Sequence, residues 1–165
     1  MSLAATQSAK VAVIGGTGMN IWPGLEITSS SIINTPYGAP SAPLVRGRVA
    51  GVEAIFLARH GEGHKLPPHA INYRANLWAL KHAGVEQVIA IGAVGAIAGW
   101  FAPGSLAIPN DLIDYSWGRE HTYFDGKPGS TLKHIEFNQP YAPSVRRALI
   151  EAAKAANVEA RDGGV

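Results

Sequence analysis

The chain has 165 residues, of which 47% are hydrophobic and 16% charged, a composition typical of a single globular domain and not of a disordered chain. Its 14 basic and 12 acidic residues give a net charge of only +2 without a run of like charges, which argues against a nucleic-acid partner. The absence of cysteine excludes disulfides, thiolate nucleophiles and thiolate metal sites. Residues 1–10 lack the apolar core of a signal peptide and no apolar run is long enough to span a bilayer, so we expect a cytoplasmic protein that does not bind membranes.

The first predicted element is a short buried strand that ends in a glycine turn. Lys10–Ile14 is a β-branched run, and Gly15-Gly16-Thr17-Gly18 follows it directly. A dinucleotide fingerprint would need a third glycine where the sequence has Ile21, and Trp22-Pro23-Gly24 interrupts the helix that should follow. NAD binding is therefore a minor alternative. The turn suits a single phosphate, bound by backbone N–H groups and the Thr17 hydroxyl, although a plain tight turn remains open.

A predicted hairpin leads into the most unusual stretch of the sequence. Val45–Val49 and Ala54–Leu57 flank a glycine-containing turn, and Arg59–Asn76 then places three histidines and three cations within eighteen positions. Gly61 and Gly63 let the backbone come close to a ligand, and the planar guanidinium of Arg59 matches phosphate oxygens. The pattern predicts an anion site where the strand ends, with a solvated basic loop as the simpler alternative.

The histidines of this stretch also raise the question of a metal site. His60 and His64 have the i, i+4 spacing of a helical metal pair, but the intervening glycines and Pro67-Pro68 argue against a helix. Glu62 lies between them without an obvious place as third ligand. We therefore expect no metal, and zinc at His60, His64 and His69 is the minor alternative.

The remaining apolar runs complete an α/β order of elements. Helical spacing is found in Ile71–His82 and Ser144–Ala156. Gln87–Ile91 is a continuous apolar run of strand length, and Ser105–Pro109 and Asp111–Asp114 are predicted as short extended pieces. Because the strands are continuous apolar runs and not alternating ones, they favour a mostly parallel or mixed sheet that is covered on both faces.

Five segments, taken together, carry a family resemblance. They are Val11–Gly18, Thr35–Ser41, Arg59–Asn76, Val88–Gly95 and Thr122–Gly126. In this order they resemble the purine nucleoside phosphorylases, within them the methylthioadenosine and methylthioinosine phosphorylase branch, and most closely its bacterial methylthioinosine phosphorylases. The resemblance implies a flexible stretch of residues 1–9 followed by one phosphorylase domain over residues 10–165. That domain would have three layers around a central mixed β-sheet and form a homotrimer, for which the predicted exposed patch Trp100-Phe101 is a candidate contact.

The resemblance also implies a reaction. Inorganic phosphate would cleave S-methyl-5'-thioinosine to hypoxanthine and 5-methylthioribose 1-phosphate in purine salvage, without a metal or organic cofactor. The residue types agree with this chemistry, because an anion beneath C1' stabilises an oxocarbenium-like state and attacks it. Cleavage of S-methyl-5'-thioadenosine is the alternative within the family, and a truncated phosphate-binding fragment without catalysis is the alternative outside it.

By resemblance, two groups of residues bind the substrates. Phosphate is bound by Thr17, Arg59, His60 and Gly92, and the ribose or its 5'-substituent is contacted by Ala93 and His134. Of these, His134 would approach from a neighbouring subunit. Adenosine-specific relatives have threonine in place of Gly92, so a hydroxyl contact to phosphate is lost here. The residue that protonates the departing base is expected beyond Val165. It would belong to the C-terminal part of the phosphorylase domain, which the resemblance implies is missing from this sequence.

Overall fold

The structure is a computed structural model that describes residues 9–126 and 131–165. These residues form two compact units. The first unit extends to Ala93 and includes Arg119–Tyr123, and the second consists of Val94–Gly118 and Phe124–Val165. Across the described part of the chain, no helix is both long and apolar enough to cross a bilayer.

The first unit is built on a five-stranded mixed sheet. Its elements are β1 (Val11–Gly15), β2 (Glu26–Ser31), β3 (Leu44–Val49), β4 (Val52–Ala58), α1 (Tyr73–His82) and β5 (Gln87–Ala90). The strand order is β2-β3-β4-β1-β5. β1 pairs in parallel with β4 and β5, whereas β3 pairs antiparallel with β2 and β4. This arrangement confirms the predicted α/β fold with a central mixed sheet.

The parallel pairing brings three strand ends to one edge of the sheet. Ile14 of β1 pairs with Leu57 of β4 and with Ala90 of β5, so the three strands end at nearly the same level. In open α/β sheets, ligands bind beyond the carboxyl ends of such strands. The loops that follow β1, β4 and β5 therefore lie where a ligand site is expected.

The larger hydrophobic cluster of the first unit lies between the sheet and α1, and a smaller one around Phe56 lies on the other face of the sheet. Every residue from Ala54 to Ala58 is buried, as expected for a strand that is covered on both faces. Leu44, Ile55, Leu57 and Leu80 are the largest fully buried side chains, and burial of each contributes roughly 1.5–3 kcal/mol to stability. β5 is mostly exposed, so the expected covering of both faces holds for β4 but not for β5 within the described residues.

The second unit contains α2 (Pro143–Ala155) and a parallel pair formed by β6 (Leu106–Ile108) and β7 (Ala160–Asp162). Arg146 of α2 joins them, because its Nε donates to the Pro109 carbonyl at 2.7 Å and its guanidinium forms an ion pair with Asp162. The helix predicted over Ser144–Ala156 is confirmed as α2, and the short extended piece predicted over Ser105–Pro109 contains β6, whereas Asp111–Asp114, also predicted as a short extended piece, lies outside any strand.

Candidate functional site

The first loop of the candidate site is the glycine turn after β1. The Met19 N–H donates to the Gly16 carbonyl at 3.0 Å and closes a four-residue turn. Gly18 has a φ of +83°, which the third position of a type II turn requires and which glycine adopts without a Cβ clash. Thr17 is exposed on this turn. The turn therefore places Thr17 at the carboxyl end of β1.

Arg59 follows β4, and its guanidinium lies against glycines of the two neighbouring loops. The Arg59 N–H donates to the Gly15 carbonyl at 2.9 Å, which extends the pairing of β4 with β1. A Cβ on Gly16 would lie 2.0 Å from Arg59 Nη2, and a Cβ on Gly92 would lie 3.1 Å from the same atom. The two glycines thus leave the space in which the guanidinium lies. They hold one positive charge at the edge where three strands end.

His60 is the buried member of the histidine group, with 6% of its surface exposed. Its Nδ1 lies 2.8 Å from the Leu66 carbonyl oxygen. Because a carbonyl oxygen only accepts, Nδ1 carries the proton, and the lone pair of the neutral ring is on Nε2. The ring also stacks on His64, with 4.3 Å between ring centroids. Nε2 is therefore the nitrogen of His60 that is left for a ligand.

The same stacking bears on the zinc alternative. The rings of His60 and His64 contact each other, with their centroids 4.3 Å apart and their planes inclined by 31°. Within residues 9–126 and 131–165, no group of three His, Cys, Asp or Glu side chains is placed to hold a metal ion. The arrangement suits hydrogen bonding and stacking better than metal coordination.

Two asparagines, Asn72 at the N-cap of α1 and Asn76 within α1, hold the Thr35–Ser41 turn in place. The sequence analysis did not predict these contacts. Asn76 is buried; its side chain accepts from the Ser41 N–H at 2.7 Å and donates to the Ser41 hydroxyl at 2.9 Å. Asn72 caps α1 by accepting from the Ala75 N–H, and it donates to the Tyr37 carbonyl at 2.7 Å. Asparagine before a helical run is a capping signal, so only the role of Asn72 could have been read from the sequence.

A cavity of about 440 Å³ lies between this turn and the basic stretch. Gly61 packs closely against the turn, since a Cβ there would lie 3.1 Å from the Ser41 carbonyl oxygen. The lining is mostly apolar, with one acid and one base, and includes Pro40, Pro43, Glu62, Lys65 and Leu66. Residues 39–43 and residues 61–66 therefore line the same cavity, and the second of these segments directly follows Arg59 and His60 in the chain.

The segment Arg119–Tyr123 packs on α1 through Arg74. The Tyr123 hydroxyl donates to the Arg74 carbonyl at 2.7 Å, and Glu120 forms an ion pair of 2.9 Å with the Arg74 guanidinium. The Tyr123 ring meets the ring of Tyr37 edge-on, with centroids 5.0 Å apart. Burial, followed by the nearby Tyr37, raises the pKa of Tyr123 above its ordinary value, and Arg74 opposes the shift.

The structure brings most of the predicted site residues to one edge of the first unit. Arg59 lies against Gly92, and Ala93 follows Gly92 directly. Thr17 and His60 adjoin Gly16 and Arg59 in the chain. His134 belongs to the second unit, where it is exposed on a stretch without helix or strand, so its contact with a 5'-substituent stays a prediction. Sequence analysis did not assign Gly16 a role, because its importance depends on how close Arg59 approaches.

A family model described as the phosphorylase superfamily matches residues 10–165, nearly the entire chain. The chain belongs to this superfamily. It is 47% identical over 154 residues to a probable S-methyl-5'-thioinosine phosphorylase of Pseudomonas syringae, covering 93% of this chain and 62% of that protein. It is 41% identical over 155 residues to an S-methyl-5'-thioadenosine phosphorylase of Pyrococcus furiosus, covering 94% of this chain and 58% of that protein. The resemblance on which the sequence analysis relied is confirmed.

Solved structures of the superfamily share the fold of the chain. The methylthioadenosine phosphorylase from Schistosoma mansoni in its apo form has a TM-score of 0.86 at 37% identity, covering 92% of this chain and 54% of that one. The same enzyme in complex with adenine has a TM-score of 0.85 at 37% identity and covers 90% and 54%. The chain thus spans less than two thirds of the length of these relatives.

Proposed function

We propose that the protein is a purine nucleoside phosphorylase that cleaves S-methyl-5'-thioinosine with inorganic phosphate in purine salvage. The observation that carries the proposal is the place of the Arg59 guanidinium, between Gly16 and Gly92 at the edge where β1, β4 and β5 end. A guanidinium fork matches phosphate oxygens, and a phosphorylase needs its anion fixed in place before the reaction. The substrate is supported by relatives in Pseudomonas syringae and Xanthomonas campestris, both named as probable S-methyl-5'-thioinosine phosphorylases.

In the proposed reaction, a phosphate oxygen attacks C1' of the sugar while the bond from C1' to the purine nitrogen breaks. The electron pair of that bond leaves with the base, which takes up a proton and departs as hypoxanthine; the sugar leaves as 5-methylthioribose 1-phosphate. Phosphate is bound by Thr17, Arg59, His60 and Gly92, and the sugar side by Ala93 and His134. Phosphate supplies both the nucleophile and the negative charge that stabilises the cationic transition state, so no metal or organic cofactor is part of the proposal.

The proposal extends to the organisation of the protein. Residues 10–165 belong to one phosphorylase domain, which acts in the cytoplasm as a homotrimer with nucleoside and phosphate as its only partners. Trp100 supports a subunit contact, because 68% of its surface is exposed and its ring adjoins that of Phe101. His134 would then reach the 5'-substituent bound in a neighbouring subunit.

Chromatography of the bases released from S-methyl-5'-thioinosine, with and without phosphate, tests the proposed function. We expect hypoxanthine to appear only with phosphate and together with an equal amount of sugar phosphate. Release without phosphate would make the protein a hydrolase. Phosphate binding without any release would favour the non-catalytic phosphate-binding fragment. Arg59→Gln should abolish the release, whereas His82→Gln, an exposed position at the end of α1, should leave it intact.

One comparison favours a second substrate. The Pyrococcus furiosus relative is named as an S-methyl-5'-thioadenosine phosphorylase. Release of adenine from that nucleoside, measured under the same conditions, decides between the two. We expect a higher kcat/KM for the thioinosine; a higher value for the thioadenosine would assign the protein to the other activity.

A further inference from the structure

His64 is held in a backbone conformation that few side chains adopt. Its φ is +57°, and its N–H donates to the Gly61 carbonyl at 3.2 Å within a tight turn. The left-handed region is uncommon for residues other than glycine, although histidine enters it more readily than most. Such conformations persist where the surrounding structure imposes them, and they cluster at functional sites. The turn thus fixes His64 at one place beside the candidate phosphate site.

From that place His64 makes two contacts that join the loops of the site. Its ring stacks on the buried ring of His60, with 4.3 Å between centroids. Its Nδ1 lies 3.4 Å from Oδ1 of Asn20, a long hydrogen bond to the loop that follows the glycine turn. His64 therefore connects the basic stretch with the loop that carries Thr17.

The hydrogen bond from Nδ1 to the Leu66 carbonyl fixes the tautomer of His60 and holds one point of its ring. The ring of His64, with its centroid 4.3 Å away, packs against the His60 ring and restricts its rotation further. A ligand that binds Nε2 of His60 then meets a side chain that is already oriented, which lowers the entropic cost of binding.

We propose that His64 is a positioning residue that holds Nε2 of His60 where it accepts a hydrogen bond from a hydroxyl group of the bound hydrogen phosphate. The inference rests on the proposed function, because it takes phosphate as the ligand of His60. His64 acts through His60 and has no direct part in the reaction. All the residues that the inference invokes belong to the first unit.

His64→Asn is the informative substitution. Asparagine tolerates the left-handed region and retains a side chain that can bond with Asn20, so the change removes the aromatic ring and little else. His69→Asn is the matched control, since His69 is an exposed histidine of the same stretch, in the short 3-10 helix Pro68–Ala70. Circular dichroism establishes that both variants are folded.

The first readout is the imidazole nitrogen spectrum of His60, recorded by NMR on the 165-residue chain without phosphate. In the wild type and in His69→Asn, we expect the sharp signals of a ring protonated on Nδ1. In His64→Asn we expect these signals to broaden or shift as the ring gains freedom. A wild-type His60 spectrum in His64→Asn overturns the inference. If His64→Asn does not fold, Asn20→Ala loosens His64 without altering residue 64, and the same two outcomes decide.

The second readout is the affinity for inorganic phosphate, measured by calorimetry. We expect His64→Asn to weaken binding by about 2- to 10-fold, the effect of one misplaced hydrogen bond, and His69→Asn to leave it unchanged. Equal affinities in the wild type and His64→Asn overturn the inference while the proposed function stands. If the wild type binds no phosphate, the proposed function is contradicted instead, and the nitrogen spectra still decide whether His64 orients His60.

Discussion

The candidate site depends on the space that two glycines leave for one guanidinium. At Gly16 a Cβ would meet Arg59 Nη2 at 2.0 Å and also the Ile91 carbonyl oxygen at 2.7 Å. At Gly92 a Cβ would meet only the end of the Arg59 side chain, at 3.1 Å. A flexible side chain can yield, whereas the backbone carbonyl of Ile91, directly after β5, yields much less readily. The two positions therefore differ in how much a methyl group would disturb them.

Alanine should therefore disturb the protein more at position 16 than at position 92. We expect Gly16→Ala to destabilise the protein by about 1–3 kcal/mol, as overpacking does, and to abolish phosphate binding because Arg59 is displaced. Gly92→Ala should weaken binding with little loss of stability. Urea denaturation and phosphate calorimetry measure the two effects. Gly99→Ala is the control, since a Cβ there would meet nothing within 4 Å, and a Gly16→Ala variant that behaves like it would contradict the account.

The raised pKa of Tyr123 predicts a loss of stability at high pH. Burial raises this pKa above its ordinary value of 10.0, so the folded protein holds the proton more tightly than the unfolded chain. The resulting stability is full below pH 10.0 and is lost as the pH rises through the folded-state pKa. In Tyr123→Phe, the free energy of unfolding should fall less steeply above this pH than in the wild type.

Urea denaturation below and above pH 10.0 measures how steeply the free energy of unfolding falls with pH. Tyr123→Phe also loses the hydrogen bond to the Arg74 carbonyl, which lowers stability by about 1 kcal/mol at every pH, so only the pH dependence is informative. Tyr115→Phe, at a position 86% exposed, is the matched control and should keep the wild-type slope. Parallel slopes in the wild type and Tyr123→Phe would contradict the prediction.

The hairpin of β3 and β4 leads directly to Arg59, which follows β4. The turn of this hairpin has alanine at a position whose backbone conformation disfavours it. Val49 pairs with Val52, so the turn has two residues, Ala50 and Gly51, and both have a positive φ, +49° and +79°. Two-residue turns of this kind favour asparagine followed by glycine, because both positions need the left-handed region. Alanine pays a steric cost there that asparagine largely avoids.

Ala50→Asn should therefore stabilise the protein by about 1 kcal/mol without affecting phosphate binding. Ala50→Val is the opposite control, since a β-branched side chain at a positive φ should destabilise it. Thermal and urea denaturation of the three proteins measure the order. If valine matched asparagine, the backbone of this turn would differ from the one described.

The elements differ in how far the sequence predicted them, for physical reasons. β1 and β4 are continuous apolar runs, and α1 has apolar residues at helical spacing before a glycine stop, so the sequence pattern identifies them. β2 was not predicted, because Glu26–Ser31 is polar and exposed along its whole length and is a strand only through its pairing with β3. β7 has three residues, too few for any period.

Site residues could be predicted where residue type and local spacing indicate their function. They were missed where their function depends on contacts that only the folded chain creates. Arg59, His60 and Thr17 could be named from residue type and glycine spacing. The stack of His64 on His60 and the clamp of Asn76 on Ser41 join residues that the sequence does not show to be neighbours. Such contacts are fixed by the fold and not by local pattern.

At the scale of the whole molecule, the second unit exposes several large apolar side chains. Ile97, Tyr115 and Trp117 are almost fully exposed, and Trp100 is exposed at 68%. The adjoining rings of Trp100 and Phe101 form an apolar patch of the kind that marks contacts with other protein surfaces. The proposed homotrimer would bury part of it, with Trp100 and Phe101 as the predicted contact.

Sedimentation velocity tests this contact. The protein should sediment as a trimer, and Trp100→Ala should shift it towards monomers, because tryptophan contributes strongly at the centre of interfaces. Trp117→Ala, which removes an equally large exposed ring outside the predicted patch, should leave the trimer intact. A monomeric wild type would contradict the proposed assembly, and a trimeric Trp100→Ala variant would contradict the predicted contact.

The most direct test of the account is the affinity of the 165-residue chain for inorganic phosphate, with Arg59→Gln beside the wild type. Glutamine keeps much of the length of arginine and removes the charge that lies between Gly16 and Gly92. Loss of a charge-assisted hydrogen bond of about 1.5–3 kcal/mol predicts binding weakened roughly 10- to 100-fold in the variant. Equal affinities in the two proteins, or no binding by the wild type, would contradict a phosphate site at the ends of β1, β4 and β5.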